Sequence, residues 1–329
     1  MSRPNRTVVL GLILAVLIAG CGQAAPSATP SATPKATPSD TPSASAVFSA
    51  TASPDLSPTP SATPTTTPSP EPSPSAVPSP SAYPTGLLPA SSGSAPYIQH
   101  GSRDFPVIAI TVDDCFSSSA VAADLAIFEK YQVNATWFPI GHVAAIYPDL
   151  WRSVDAAGFP IANHTYDHQN LTTKTYAQVL ADIESDNDTL TAIIGHPITP
   201  FVRPYGGSLN GTVLAAAGAA GERAVVNWDT SDGDTSGSFA DWSNVARLIS
   251  LGEQGHNGSI ILMHANHQYT TAALPAIITY YRSHGYQFVT LGQLLGVPGP
   301  VPYGPEPADW VPPADPTPSP LPTSTPPMI

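Results

Sequence analysis

Two adjacent carboxylates, Asp113 and Asp114, close the short apolar run Val107–Val112. At the end of a buried strand such a pair repels itself and loses hydration unless a cation or a donor lies between the groups. Further along, His164-Thr165-Tyr166-Asp167-His168 sets two imidazoles at i and i+4, a spacing that puts both on one face of a helix, where they can bind one metal. Together with Asp114 they form a hydrolytic ligand set with open positions, suited to zinc or another divalent first-row ion. Asp113 is then free to take a proton from water, and His264, ending the run Ser259–His264, can protonate a leaving amine or alcohol. Backbone N–H groups of the turn Pro204-Tyr205-Gly206-Gly207 can hold an oxyanion. The chemistry this predicts is metal-assisted hydrolysis of an amide or an ester.

Groups so far apart in sequence need a scaffold that brings strand ends together. From Pro106 on, short apolar runs alternate with stretches of helical spacing, about seven times over: "PVIAITVDD" before "SSAVAADLAIFEKYQ", "NATWFPIG" before "VAAIYPDLWRSVDAAG", and onward through "FPIAN", "TPFVRP", "RAVVNW" and "SIILMH" to "YQFVTL". Such alternation predicts parallel strands with crossover helices, an α/β fold, and seven units suit a distorted (β/α)7 barrel, with an open doubly wound sheet fitting almost as well. Chemistry then belongs at the C-terminal strand ends. Those ends carry Asp113-Asp114, Asn163-His164, Arg203, Trp228-Asp229 and His264.

In order and spacing these segments resemble the polysaccharide deacetylases of carbohydrate esterase family four, across essentially all of Phe105–Leu295. "TVDDC" is similar to the family's TFDDG, which implies Asp113 as base and Asp114 as metal ligand. "NATWFPIG" matches its ATFFxxG strand. "NHTYDH" matches NHTxxH and implies His164 and His168 as ligands, and "LMH" matches LxH, implying Leu262 as a pocket wall and His264 as general acid. The closing "LPAIITYYRSHGYQFVTLGQLL" resembles the family's last helix–strand–helix. The resemblance implies a divalent metal cofactor, zinc first, with cobalt, nickel or manganese as alternatives.

Two motifs depart from the pattern. The family's RxPY becomes "FVRPYGG", with Val202 where the arginine belongs and Arg203 one residue later; the role the resemblance implies for Arg203 is to orient Asp113, while the Tyr205 amide serves the oxyanion. The family's DxxDW becomes "NWDTSDGDTSG", offering Asp229, Asp232 and Asp234 to hold the arginine and Trp228 as the aromatic wall. Cys115 replaces the usual glycine, and we read it as a small buried side chain rather than a thiol acting on the metal.

Composition sets the surroundings. Of 40 prolines, 17 lie in residues 22–95, 13 in residues 298–329 and nine in residues 96–297, so one domain of residues 96–297 is expected between a Pro/Ser/Thr/Ala-rich stalk and a Pro-rich tail. Arg3, Arg6, the apolar run Val8–Ala19 and the lipobox-like Ile18-Ala19-Gly20-Cys21 predict a lipoprotein signal over residues 1–21, lipidated at Cys21. That makes the expected location extracytoplasmic, with the chain lipid-anchored to the cell membrane. Cys115 alone then remains, which rules out an internal disulfide in the mature chain. Eight Lys and Arg against 18 Asp and Glu in residues 96–297 is the wrong sign for a nucleic-acid binder. The partner expected is an acetylated polysaccharide, peptidoglycan or a chitin-like glycan, acted on by a monomer. Removal of N-acetyl groups from amino sugars is the first reading. O-acetyl esterase action on a xylan-type polymer, or a weakened glycan-binding module of the same fold, is the alternative.

Overall fold

The computed structural model describes residues 93–304. The expected signal, Cys21, most of the stalk, and most of the tail, Trp310 included, lie outside the described residues. Eight strands and nine α-helices follow in the described chain. The strands are β1 (Tyr97–Ile98), β2 (Val107–Asp114), β3 (Ala135–Pro139), β4 (Phe201–Val202), β5 (Ala224–Val226), β6 (Thr230–Ser231), β7 (Ser259–His264) and β8 (Gln287–Phe288). The helices are α1 (Ser118–Tyr131), α2 (Gly141–Ala144), α3 (Pro148–Ala156), α4 (Tyr176–Ile194), α5 (Gly211–Ala219), α6 (Phe239–Trp242), α7 (Val245–Gly252), α8 (Gln268–Ser283) and α9 (Leu291–Leu295). Among the described residues no helix is long and apolar enough to cross a membrane.

Every strand pairing is parallel, as crossover helices require. One sheet runs β3-β2-β7-β6, with β8 joining the first residues of β2; the other runs β1-β5-β4. The expected strand "FPIAN" contributes only bridge residues. Ile161 pairs with Trp137 and Asn163 with Val202, which links the two sheets on one side, and His100 meets Ser259 on the other. Parallel strands alternating with helices thus make the expected distorted α/β barrel.

Side-chain alternation along β2 decides which residues reach the barrel interior. Ile108, Ile110 and Val112 pack outward against Val121, Leu125 and Phe128 of α1 and Ile277 and Ile278 of α8. Val107 and Ala109 face inward with Phe138, Phe201, Val226 and Ile260. Continuing that inward parity puts Thr111 and then Asp113 at the mouth. The same count along β7 runs from Ile260 through Leu262 to His264, which is the register partner of Asp113. The base and acid candidates therefore sit side by side because the two central strands are in register. Folding also continues past Val297: the Tyr303 N–H donates to Asn134 Oδ1 at 3.1 Å, and the Tyr303 ring lies edge-on to Phe159.

Candidate metal and catalytic site

Asp114, His164 and His168 converge so that their ligand atoms lie within 4.8 Å of one another. His164 Nδ1 stands 2.7 Å from the Arg203 carbonyl oxygen, which can only accept, so Nδ1 carries the proton. The Nε2 of a neutral His164 then presents a lone pair to Asp114 Oδ1 at 3.1 Å, and His168 Nε2 approaches the same oxygen at 3.0 Å. Three electron-rich atoms facing one another call for a proton or a cation between them, and two imidazoles with one carboxylate fit a divalent metal. The second oxygen of Asp114 accepts from Asn266 Nδ2 at 2.8 Å. Burial would raise the Asp114 carboxyl, but when the imidazoles of His164 and His168 also carry a proton on Nε2 their hydrogen bonds and charge hold it well below the usual carboxylate range. Burial likewise opposes charge on His164, yet Asp113 and Asp114 together raise it above an ordinary imidazole.

The two histidines do not share a helix face, as their spacing predicts. Residues 164–168 form a loop in which Thr165 and His168 take left-handed backbone angles, φ 66° and 53°. Asp114 and Cys115 do the same at 59° and 64°. Only glycine adopts this region without strain, and its concentration at four site positions marks a backbone held from outside. The holding groups come from α4 and Asn163. Asp182 Oδ1 accepts the N–H of Tyr166 at 3.0 Å and of Asp167 at 2.8 Å. Asp186 Oδ2 accepts the N–H of His164 at 2.9 Å, and Asn163 Oδ1 that of Thr165 at 2.8 Å. Side-chain acceptors thus hold these amides in a loop. Gly141 is required beside this clamp, since a Cβ there would collide with Asp186 Oδ1.

Arg203 is fully buried and reaches Asp113 despite its displaced position in the motif. Its Nη1 donates to Asp113 Oδ1 at 2.6 Å and to Thr111 Oγ1 at 2.8 Å, its Nε to the Val226 carbonyl and its Nη2 to that of Asn227. The guanidinium lies 4.4 Å from the Phe138 ring centroid and 5.6 Å from that of Trp228. Burial lowers its pKa and the Asp113 charge opposes the fall. None of the three candidate aspartates holds it. Asp229 pairs with Arg103 at 2.6 Å and ties down the start of β7 through Ser259 and Ile260. Asp232 accepts the Asp234 N–H. Asp234 instead serves His264: its Oδ1 lies 2.7 Å from Nδ1 and its Oδ2 accepts the His264 N–H and the Thr270 hydroxyl, each at 2.7 Å. Burial opposes protonation of His264, but the Asp234 charge overcomes it and pushes the imidazole up to about 9.

Tyr205 is exposed, with its ring edge-on to His168 at 4.8 Å between centroids. The turn it opens uses the Gly207 and Ser208 amides internally. Leu262 is buried on the inward face of β7, and Trp228 packs part-buried near Arg203. Cys115 is buried, and burial together with Asp114 raises its thiol well above the usual range, so it is no ready nucleophile. Sequence reading missed Asn266, Thr111, Asp182 and Asp186. One signal existed for Asp186: the buried stripe of α4 reads Val179, Ile183, Asp186, Leu190, an acid where an apolar residue belongs.

Residues 100–225 match the polysaccharide deacetylase family. The chain is 30% identical over 202 residues to a peptidoglycan-N-acetylglucosamine deacetylase of Bacillus cereus, covering 57% of this chain and 88% of that one. It is 31% identical over 186 residues to a bifunctional xylanase/xylan deacetylase of Cellvibrio japonicus, covering 56% of this chain but only 27% of the relative. The solved Bc1960 peptidoglycan N-acetylglucosamine deacetylase superposes with a TM-score of 0.58 at 24% identity, over 62% of this chain and 95% of that chain, a likeness of fold. The chain belongs to the polysaccharide deacetylase family.

Proposed function

We propose that this protein removes acetyl groups, N-acetyl of amino sugars first, from a cell-envelope polysaccharide. The observation that carries the reading is the arrangement around Asp113. One of its oxygens is fixed by Arg203 at 2.6 Å, and the other stands 3.7 Å from His164 Nε2, beside the candidate metal set and level with His264. Asp114, His164 and His168 would hold the metal, whose charge, when bound, polarises the acetyl carbonyl and acidifies water. Asp113, with its second oxygen unencumbered, accepts the proton of the attacking water. Arg203 keeps that carboxylate aimed at the site. The Tyr205 amide, not used by its own turn, donates to the oxyanion. His264, kept protonated by Asp234, hands a proton to the departing amine, and Leu262 walls the acetyl pocket.

The lipobox-like Cys21 and the long polar stalk support a location outside the cytoplasm, tethered to the membrane within reach of the wall. The Cellvibrio relative's name favours a second reading, O-deacetylation of a xylan-type polymer by the same groups. The test is acetate release by zinc-loaded protein from N-acetyl chitooligosaccharides, peptidoglycan and acetylated xylan, with Asp113→Asn as the control. Release that falls by about 10²–10⁴-fold in the variant supports the reading, and the responsive polymer chooses amide or ester. No release from any polymer, with zinc bound, would leave a glycan-binding module of the same fold.

A further inference from the structure

A polysaccharide longer than one sugar has to lie over the surface beside the metal, and the structure shows what that surface is made of. Sheet order places the loops after β2, β7 and β6 side by side at the mouth of the barrel. Each loop presents aromatic rings. After β2 comes Phe116, 45% exposed, its ring edge-on to His168 and its N–H donating to Asn266 Oδ1. After β7 come His267 and Tyr269, their rings 5.3 Å apart. After β6 the single-turn α6 carries Phe239, 49% exposed, and Trp242. Trp242 stacks on His267 at 4.9 Å with 19° between planes and meets Phe239 and Tyr269 edge-on.

This band is anchored to the acid side of the site. His267 Nε2 lies 3.0 Å from the Asp234 carbonyl oxygen, so it can donate there, and the Asp234 side chain holds His264. The turn of α6 is closed by Asp241 Oδ2, which accepts the Ser238 N–H and hydroxyl. An aromatic face carries partial negative charge and attracts the weakly positive axial C–H groups of a pyranose, while its flat apolar area loses water on contact. Arg247, the cation beside α6, donates to the Gly233 and Asp241 carbonyl oxygens and is engaged within the protein, which suits a neutral sugar rather than an anionic one.

We infer that Phe239 and Trp242, backed by His267 and Tyr269, form a stacking subsite for a neutral sugar next to the one being deacetylated, on the His264 side. Phe116 bridges this subsite to the metal loop. The protein is therefore built for a chain rather than for a single acetylated sugar. The inference rests on the polysaccharide reading above, and its test separates the two.

The measurement is calorimetric binding to the zinc-loaded Asp113→Asn full chain, with β-linked N-acetylglucosamine oligomers and acetylated xylo-oligomers from disaccharide to hexasaccharide. Affinity in one series should rise about tenfold or more with length, and the rise should shrink to about twofold in a background carrying Phe239→Ser and Trp242→Ala. Trp242→Phe should keep most of it, since the ring rather than the indole N–H is in use. Near-UV circular dichroism checks that the variants keep native packing. A length dependence that survives the double substitution, or none in the parent, overturns the subsite. Absence of acetate release from every polymer overturns the deacetylase reading instead, while the titration still decides the subsite.

Discussion

Aspartates support both halves of the site, and they do it in different ways. On the metal side, Asp182 and Asp186 of α4 accept the backbone N–H groups of His164, Tyr166 and Asp167 and so fix a shape. On the acid side, Asp234 accepts from the imidazole and the N–H of His264 and so fixes a charge. A carboxylate aimed at peptide amides holds a loop in a conformation it would otherwise leave; one aimed at a titratable ring sets when that ring carries its proton. The two supports should therefore fail differently when removed.

The largest contrast comes from Asp234→Asn. His264 sits at about 9 because the Asp234 charge outweighs burial. Without that charge only the weaker pull of Asp114 and Asp113 opposes burial, and the imidazole should fall well below its present value. A general acid must be protonated to act, so loss is greatest on the alkaline side. Acetate release should drop about 100-fold at pH 8 and only a few-fold at pH 6, moving the upper limb of the pH–rate profile down by about two to three units. A uniform loss at all pH values would mean that Asp234 positions His264 without setting its charge.

Asp182→Ala should act on the metal instead. Two loop amides lose their acceptor and the left-handed turn at His168 loses its brace. Metal affinity, read by competition with a chromogenic zinc chelator, should weaken by about 10–100-fold, the range usual for groups behind the ligands. The visible spectrum of a cobalt-loaded sample should change with it. Asp182→Asn keeps an oxygen for the same amides and should recover most of the affinity. If the asparagine variant is as weak as the alanine one, the carboxylate charge rather than the hydrogen-bond geometry is what matters.

This division explains what could be read from the sequence. The barrel was legible because parallel strands buried on both faces must be short apolar runs, and β2 and β7 are buried throughout their lengths. The residues that would touch metal or substrate were legible as well, since Asp113, Asp114 and His264 end those runs and the two histidines stand close in sequence. The supports were hidden. Asp182 lies 15 residues from Asp167 and Asp234 lies 30 from His264, and nothing in either local segment names its partner. The helical expectation for residues 164–168 failed for the same reason: spacing reports what a helix would do, and the side chains that override it come from elsewhere in the chain. Arg203 is the converse case. Its shifted place in the motif obscures its direction, yet a long side chain ending in five donors reaches Asp113 from the neighbouring position.

The smallest effect separates the acid side from its own background. Asp124, on the buried face of α1, accepts from the Thr271 hydroxyl through Oδ1, and its Oδ2 is buried with no partner. Burial pushes its carboxyl up to about 8, against 3.8 for a free one, with the Thr271 bond opposing and the Asp234 charge adding to the rise. The folded protein thus binds a proton there that the unfolded chain releases near pH 4, so Asp124 makes stability fall as pH rises from about 4 towards 8. Asp124→Asn keeps an acceptor for Thr271 and removes the titration. Its melting temperature should equal the parent's at pH 4 and exceed it by about 4 °C or more at pH 8, at about 2–4 °C per kcal/mol for a domain of this size. The alkaline limb of the activity profile should stay where it is, because Asp124 touches α8 and not His264. If that limb moves as it does in Asp234→Asn, then Asp124 belongs to the charge-setting group and the acid side has two supports of that kind, not one.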